Sequence, residues 1–148
     1  MTQAGPDTLD AIAALQRLAE LFSERRLQLA RESGITETLW RVLEEVDDES
    51  FMPSMFARRR SCTPSAVSRT LRQLLERELV RASIGETDSR QRIYRLTAKG
   101  RRALRRLSAR RQQAIDAIWA PMRRSDLRSF TRFANDLADR LEDYTEKQ

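Results

Sequence analysis

The fold is decided by residues 63–77, which read TPSAVSRTLRQLLER. Thr63 followed by Pro64 marks a helix start, because a threonine hydroxyl caps the free N–H groups of the first turn and proline is tolerated at the first helical position. The apolar residues of the segment share one side of such a helix: Val67, Leu71, Leu74 and Leu75. We therefore predict a helix that begins at residue 64 and has a short-polar and cationic exposed face.

The segments on both sides of this helix complete a motif. Before it, residues 53–60 predict a short helix, and Arg60-Ser61-Cys62 predicts a tight turn. After it, apolar side chains alternate in residues 80–84 and again in 92–96, which predicts a β-hairpin with the charged residues 85–90 at its tip. Short helix, turn, second helix and basic hairpin together form a winged helix-turn-helix.

Helical periodicity covers most of the remaining chain. Further helices are predicted at residues 8–32, 36–46, 97–120 and 125–146, with Asp7 or Thr8, Thr36 and Ser125 as capping residues. In the last of them, a heptad-like seam needs a partner helix: Leu127, Phe130, Ala134, Leu137, Leu141 and Tyr144. The predicted fold class is mainly α: about six helices, a two-stranded β-wing, and N- and C-terminal helices that form a dimerisation scaffold.

The composition excludes several classes of protein. A chain of 148 residues fits one domain, and 40% hydrophobic residues with only four Gly and four Pro disfavour both a disordered chain and a β-sandwich. No apolar run approaches the ~18 residues of a membrane span, and the N-terminus lacks a signal-peptide pattern, so we expect a cytoplasmic protein. With no His and only Cys62, common zinc sites, Ser-His-Asp triads and disulfides lack their parts. We expect no metal, no cofactor and no catalysis.

The basic charge is concentrated in the middle of the chain. Residues 58–111 hold 17 of the 28 Lys and Arg residues but four of the 22 Asp and Glu residues, whereas residues 1–57 hold five against eleven. A biased genome explains Arg over Lys, but it does not explain this segregation, since the first third shares the bias. A concentrated cationic block predicts a polyanion as partner.

These motifs, in this order, resemble the MarR family of bacterial transcription regulators. The resemblance is carried by TPSAVSR at 63–69, LV at 79–80, DSR at 88–90 and LTAKG at 96–100, and TETLWRVL at 36–43 extends it across nearly the whole chain.

The resemblance implies one domain, residues 1–148, that forms a homodimer. Residues 8–32 and 101–146 would interlace with their counterparts, and residues 35–100 would carry the winged helix-turn-helix over a pseudo-palindromic operator. Many relatives are repressors that respond to small aromatic effectors or to oxidation of a cysteine.

Twelve residues are predicted to contact double-stranded DNA: Thr63, Ser65, Ala66, Ser68, Arg69, Arg72 and Gln73 in the recognition helix, Arg58 and Arg59 before it, and Asp88, Arg90 and Arg92 in the wing. Short side chains permit close approach to the major groove, and arginines reach guanine edges or phosphates. Arg58 and Arg59 would position the protein through phosphate contacts. In the wing, the resemblance implies that Asp88 orders the loop and that Arg90 contacts DNA.

Four other positions have alternative interpretations. Glu78 stands where relatives usually end the recognition helix with a glycine, and Ser61 replaces a common turn glycine, so the turn at Glu78 is either strained or differently built. Trp40 is expected in the core rather than in a ligand pocket, and Cys62 as a small buried hydrophobe rather than a redox switch.

Two other functions stay open at this point. The winged region would serve as a protein-interaction module if its basic face met an acidic partner, or as an architectural DNA binder if it read no base sequence.

Overall fold

The computed structural model describes residues 5–48, 51–85 and 90–147. Within these residues it has six helices and one two-stranded sheet: α1 (Pro6–Glu32), α2 (Glu37–Asp47), α3 (Pro53–Arg59), α4 (Pro64–Glu76), β1 (Val80–Ile84), β2 (Arg92–Leu96), α5 (Ala98–Trp119) and α6 (Arg124–Glu146). The predicted mainly α, winged helix-turn-helix fold is confirmed.

The chain divides into two compact units. The first, Met1–Arg110, holds α1 to α4, the hairpin and the first part of α5, and the second, Arg111–Gln148, holds the rest of α5 and α6. None of the helices in the described ranges is both long and apolar enough to cross a membrane.

The main core of the first unit holds α4 in place. It is built by α2, α3, α4 and the base of the hairpin: Leu39, Val42, Leu43, Val46, Phe56, Ala57, Val67, Leu71, Leu74, Leu79, Val80 and Leu96. The inner face predicted for α4 is buried at Val67, Leu71 and Leu74, and Leu75 is half-buried against the same cluster. Burying one stripe of an amphipathic helix fixes which side remains exposed.

A second cluster joins α1, α2 and α5. It consists of Leu29, Ala30, Trp40 and Leu107. Trp40 is 1% exposed, which places it in the core as expected, and the Arg26 guanidinium lies 4.0 Å from the centre of its ring.

Cys62 packs against the main core, as expected for a small hydrophobe. The residue is half-buried, and its thiol lies 3.8 Å from the carbonyl oxygen of Ala57.

Threonine hydroxyls begin two of the helices as predicted. Thr36 Oγ1 accepts a hydrogen bond from the Leu39 N–H at 3.1 Å, and Thr63 Oγ1 accepts one from the Ala66 N–H at 3.1 Å. Each bond satisfies one of the N–H groups that a helix start leaves without an intrahelical partner.

Three of the predicted capping residues are wrong: Asp7, Thr8 and Ser125. The helix α1 begins one residue earlier, at Pro6, with Gly5 as N-cap, because proline is already suited to the first helical position. The helix α6 has Arg123 as N-cap, and this arginine pairs with Asp126 at 2.8 Å across the first turn.

Three helices end in the same backbone motif. The residue after the C-cap has a positive φ in each: 72° at Gly34 after α1, 50° at Ser61 after α3 and 58° at Glu78 after α4. The N–H of the following residue donates to a carbonyl five positions earlier, over 3.1, 3.0 and 2.9 Å respectively, which defines a Schellman motif. This conformation costs a residue other than glycine about 1–2 kcal/mol. Of the two alternatives for Glu78, the strained turn is therefore the correct one.

The wing is a regular antiparallel hairpin at its base. Val80 pairs with Leu96, and the register continues to Ile84 opposite Arg92. Only Val80 and Leu96 among the strand residues are fully buried, so the strands rise away from the core as they approach the tip. The predicted tip residue Asp88 lies outside the described residues.

Candidate nucleic-acid interface

The exposed face of α4 carries most of the residues predicted for DNA contact. Ser65, Ser68, Arg69, Arg72 and Gln73 are all exposed. An α-helix with short polar side chains and arginines on its free side has the dimensions and donors that the major groove accepts. The structure therefore groups these five predicted residues on one surface.

Two further predicted residues lie at the beginning of this helix. The Thr63 hydroxyl accepts the capping bond from the Ala66 N–H, so its own proton is left to donate. Ala66 is half-buried, and its methyl group is too small to prevent close approach of the helix to a DNA groove. Thr70 does not belong to the face, because it is 7% exposed and its hydroxyl donates to the Ala66 carbonyl at 3.0 Å.

The arginines near α4 differ in whether they are already paired. Arg58, Arg69 and Arg72 are exposed, and among the described residues none of them has a hydrogen-bond or ion-pair partner. Arg59 instead donates to the Glu45 carboxylate at 2.8 Å, and Arg60 lies 3.5 Å from the other oxygen of that carboxylate. A phosphate would have to compete with Glu45 for Arg59, whereas the guanidinium groups of Arg58, Arg69 and Arg72 face solvent.

The Glu45 pairing was not predicted. Glu45, near the end of α2, is half-buried. Arg59 and Glu45 are 14 residues apart in the chain, so no local sequence pattern indicates the contact.

The described part of the wing adds cations on both strands. Arg90 and Arg92, both predicted, are exposed, whereas the predicted Asp88 has no described position. Arg81 lies directly opposite Arg95, and both are exposed. Like charges at opposite positions of antiparallel strands repel each other, so this pair favours binding of an anion. The sequence alone does not show this pair, because the pairing depends on the register of the hairpin.

A set of contacts fixes the end of α4 against the start of α5. The Thr97 hydroxyl donates to the Glu78 carbonyl at 2.6 Å and accepts from the Gly100 N–H at 3.0 Å. The Lys99 ammonium donates to the Arg77 carbonyl at 2.9 Å. A Cβ added to Gly100 would lie 2.0 Å from the Leu79 carbonyl oxygen, so only glycine permits this close approach. These residues position the recognition helix without belonging to its exposed face.

A charged network holds α1 against α2. Glu37 Oε1 accepts from Arg26 at 2.7 Å and also from Arg41, and Arg26 reaches Glu44 at 2.9 Å. Burial by itself raises the pKa of Glu37, but the hydrogen bonds and charges of Arg41 and Arg26 outweigh that effect, so the pKa of Glu37 lies below its ordinary value. The carboxylate therefore stays ionised at neutral pH and ties the two helices together.

A cavity of about 140 Å³ lies beside the second core cluster. Its lining combines apolar, polar, acidic and cationic side chains: Glu32, Ser33, Ile35, Ala103, Arg106, Leu107 and Arg110. Arg110 pairs with Glu32 at 3.2 Å, and the buried Ser33 Oγ has no hydrogen-bond partner within the described residues. The apolar side chains suit a small ring, and Arg106, which has no partner among the described residues, suits an anionic group on it.

Comparison with known proteins identifies the fold. No model of a protein family matches the sequence, and no curated protein sequence matches it either. One solved MarR family transcription regulator has a TM-score of 0.85 at 14% identity, over 95% of this chain and 93% of that chain. MarR of Staphylococcus aureus in complex with salicylate and kanamycin has a TM-score of 0.77 at 16% identity, over 91% of this chain and 92% of that chain. An S. aureus MepR–DNA complex has a TM-score of 0.71 at 13% identity, over 86% of this chain and 94% of that chain. The chain therefore has the winged-helix fold of the MarR family transcription regulators.

Proposed function

We propose that this protein is a sequence-specific regulator of transcription that binds double-stranded DNA and has no catalytic activity. The observation that carries the proposal is the exposed face of α4. Arg69 and Arg72 have no partner among the described residues, while the opposite face of the helix is fixed in the core. MepR, which has the same fold, is solved with DNA, and this supports the proposal.

Each predicted contact residue has a role that suits its chemistry. Ser65, Ala66 and Ser68 let α4 approach the floor of the groove, Arg69 and Arg72 bind guanine edges, and Gln73 binds adenine. Thr63, Arg58 and Arg59 bind phosphates and set the orientation of the protein on the duplex. Arg90 and Arg92 reach the neighbouring minor groove, with Asp88 ordering the loop of the wing that precedes them.

The proposal includes a homodimer, held by residues 8–32 and 101–146, that occludes a promoter at a pseudo-palindromic operator. Within the first unit, α1 has a row of apolar side chains that are 41% to 60% exposed: Leu9, Ile12, Leu15, Leu18, Leu21 and Phe22. Within the second unit, α6 has four that are 48% to 67% exposed: Phe130, Phe133, Leu141 and Tyr144. Apolar surface of this extent is typical of a protein interface. Light scattering should give twice the chain mass of 17.2 kDa, and a 17.2 kDa species alone at micromolar concentration would contradict the dimer.

A response to a small aromatic acid is the remaining part of the proposal. The cavity beside Ile35 and Leu107 can hold a ring, and Arg106, which has no partner among the described residues, can bind a carboxylate. The S. aureus MarR structure contains salicylate, so salicylate is a suitable probe. We expect salicylate to lower the affinity for DNA, and we expect Ala103→Leu, which fills the cavity, to abolish that response. An equal response in the variant would contradict this site.

The first experiment is selection of DNA fragments from the source genome at near-physiological salt. Enrichment of one inverted repeat, with half-sites about 10 base pairs apart, supports a two-fold sequence reader. Retention without a preferred sequence, lost steeply with salt, would favour an architectural DNA binder instead. Failure to retain DNA, together with stoichiometric recovery of one acidic protein, would favour an interaction module.

The selected duplex then allows α4 itself to be tested. Arg69→Ala and Arg72→Ala should each weaken operator binding by about 1–3 kcal/mol in fluorescence anisotropy. Arg17→Ala removes an exposed arginine from α1 and serves as the matched control. Unchanged affinity in both α4 variants would exclude this helix as the reading element. Arg90→Ala should weaken binding to all sequences and reduce the salt slope by about one.

A further inference from the structure

The first half of α5 is strongly cationic and belongs neither to the exposed face of α4 nor to the wing, although Arg106 also lines the cavity described above. Residues 98–111 contain one lysine and six arginines and no acidic residue, and the first carboxylate of the helix is Asp116. Net charge of this density on one short helical segment is unfavourable unless counter-charges lie nearby.

The structure separates these cations into two groups. Arg101 donates to the Leu96 carbonyl at 3.0 Å, and Arg110 pairs with Glu32 at 3.2 Å, so both are used within the fold. A second group, Arg102, Arg105 and Arg106, is exposed and has no hydrogen-bond or ion-pair partner in the described part of the chain. We call these three residues the α5 arginine patch.

The α5 arginine patch surrounds a shallow groove. Its three arginines and Ala109 line a depression of about 350 Å³. Their spacing of three and four residues places them on one side of the helix. Ala109 projects only a methyl group, so a ligand can reach the floor between the guanidinium groups.

The chemistry of the patch fits the sugar-phosphate backbone of DNA. From Arg102 to Arg106 the helix rises about 6 Å, close to the ~7 Å along the duplex axis that separates a phosphate from the second one after it on the same strand. The planar guanidinium group matches phosphate oxygens in a bidentate geometry. A protein partner is less well matched, because a stable protein interface needs an apolar or aromatic anchor and the groove offers only the Ala109 methyl group.

We propose that the α5 arginine patch is an additional, sequence-independent contact to DNA phosphates, separate from α4 and the wing. It rests on the proposed function, because it assumes that the protein binds a duplex. The patch contributes affinity rather than specificity, since phosphate contacts carry no base information.

The test is the salt dependence of binding, measured by anisotropy on the selected operator and on an unrelated duplex. The variant R102Q/R105Q/R106Q keeps good helix formers and removes three charges. The control R128Q/R132Q/R140Q removes three exposed arginines from α6, and light scattering verifies that it keeps the mass of the wild type, since α6 belongs to the proposed dimer helices. Circular dichroism and thermal unfolding verify that both variants are folded.

We expect the slope of log K against log[salt] to become less steep by about 2–3 per chain in the patch variant on both duplexes. The ratio of the affinity for the operator to the affinity for the unrelated duplex should stay constant. The variant R102K/R105K/R106K should restore most of the slope, because it restores the charge. A slope equal to that of the α6 control would overturn the proposal and leave an acidic protein as the candidate partner.

Failure of the proposed function has a different signature. In that case the wild type binds all duplexes alike, and Arg69→Ala does not change the relative affinities. The salt slope on the unrelated duplex still reports whether the patch binds phosphates.

Discussion

Replacing Glu78 by glycine is expected to stabilise the protein. Glu78 has a φ of 58° in the Schellman motif that ends α4, and its side chain is exposed. The left-handed conformation costs a residue with a Cβ about 1–2 kcal/mol. Glycine avoids this cost, but it lowers the free energy of unfolding by about 0.4–1 kcal/mol because it increases the entropy of the unfolded chain. The net gain is therefore about 0.5–1 kcal/mol.

The backbone contacts of the turn should survive the substitution. The Glu78 N–H bond to the Leu75 carbonyl, 3.0 Å, and the Thr97 bond to the Glu78 carbonyl, 2.6 Å, involve main-chain atoms of residue 78 only. The assay is thermal and urea unfolding of both proteins at one protein concentration, since oligomerisation makes the midpoint concentration-dependent. A gain of this size raises the midpoint by about 1–4 °C in a chain of this length.

Two matched variants separate backbone strain from other causes. Glu78→Gln removes the charge and keeps the Cβ, so it should leave stability close to that of the wild type. Glu76→Gly places a glycine in the last helical residue, where no strain exists, and should destabilise by up to about 1 kcal/mol. If Glu78→Gly is less stable than the wild type, or if Glu78→Gln gives the same gain, the strain assigned to this turn is wrong.

Three further predictions concern the contacts that position α4 and α2. Gly100→Ala should destabilise by about 1–3 kcal/mol in urea unfolding, because its Cβ meets a backbone oxygen at 2.0 Å, whereas Gly5→Ala, with nothing within 4 Å, should be nearly neutral. Thr97→Val should cost about 1–2 kcal/mol through the lost cap of α5, and unchanged stability would exclude that role. Because the pKa of Glu37 is lowered in the folded state, its contribution to stability is complete above its ordinary pKa and disappears as the pH falls through the lowered value. Glu37→Gln should therefore have a smaller free energy of unfolding than the wild type at pH 7, and this difference should decrease in acid. A constant difference between about pH 6 and pH 3 would contradict the lowered pKa of Glu37.

The elements that the sequence predicted correctly have local causes. The cap at Thr63, the proline after it and the apolar spacing of Val67, Leu71 and Leu74 act within one or two helical turns, so they predict α4 and its inner face together. The capping residues of α1 and α6 were predicted wrongly for a local reason too. Several neighbouring residues can begin each helix, and the alternatives differ only slightly in energy.

The candidate interface was predicted less completely than the fold. The exposed face of α4 followed from periodicity, but the neutralisation of Arg59 by Glu45 and the apposition of Arg81 and Arg95 did not. The α5 arginine patch was visible only as part of a basic segment, since the sequence cannot show that Arg110 is engaged and its neighbours are not.

By itself, the sequence determined the order of helices and strands, the amphipathic face of α4 and the concentration of cations in the middle of the chain, because these depend on side-chain spacing, caps and composition. Only the tertiary structure decided which of those cations are available to a partner. Ion pairs such as Arg110 with Glu32 join residues 78 positions apart. Their existence depends on how helices pack, and packing is set by the whole core rather than by any local segment.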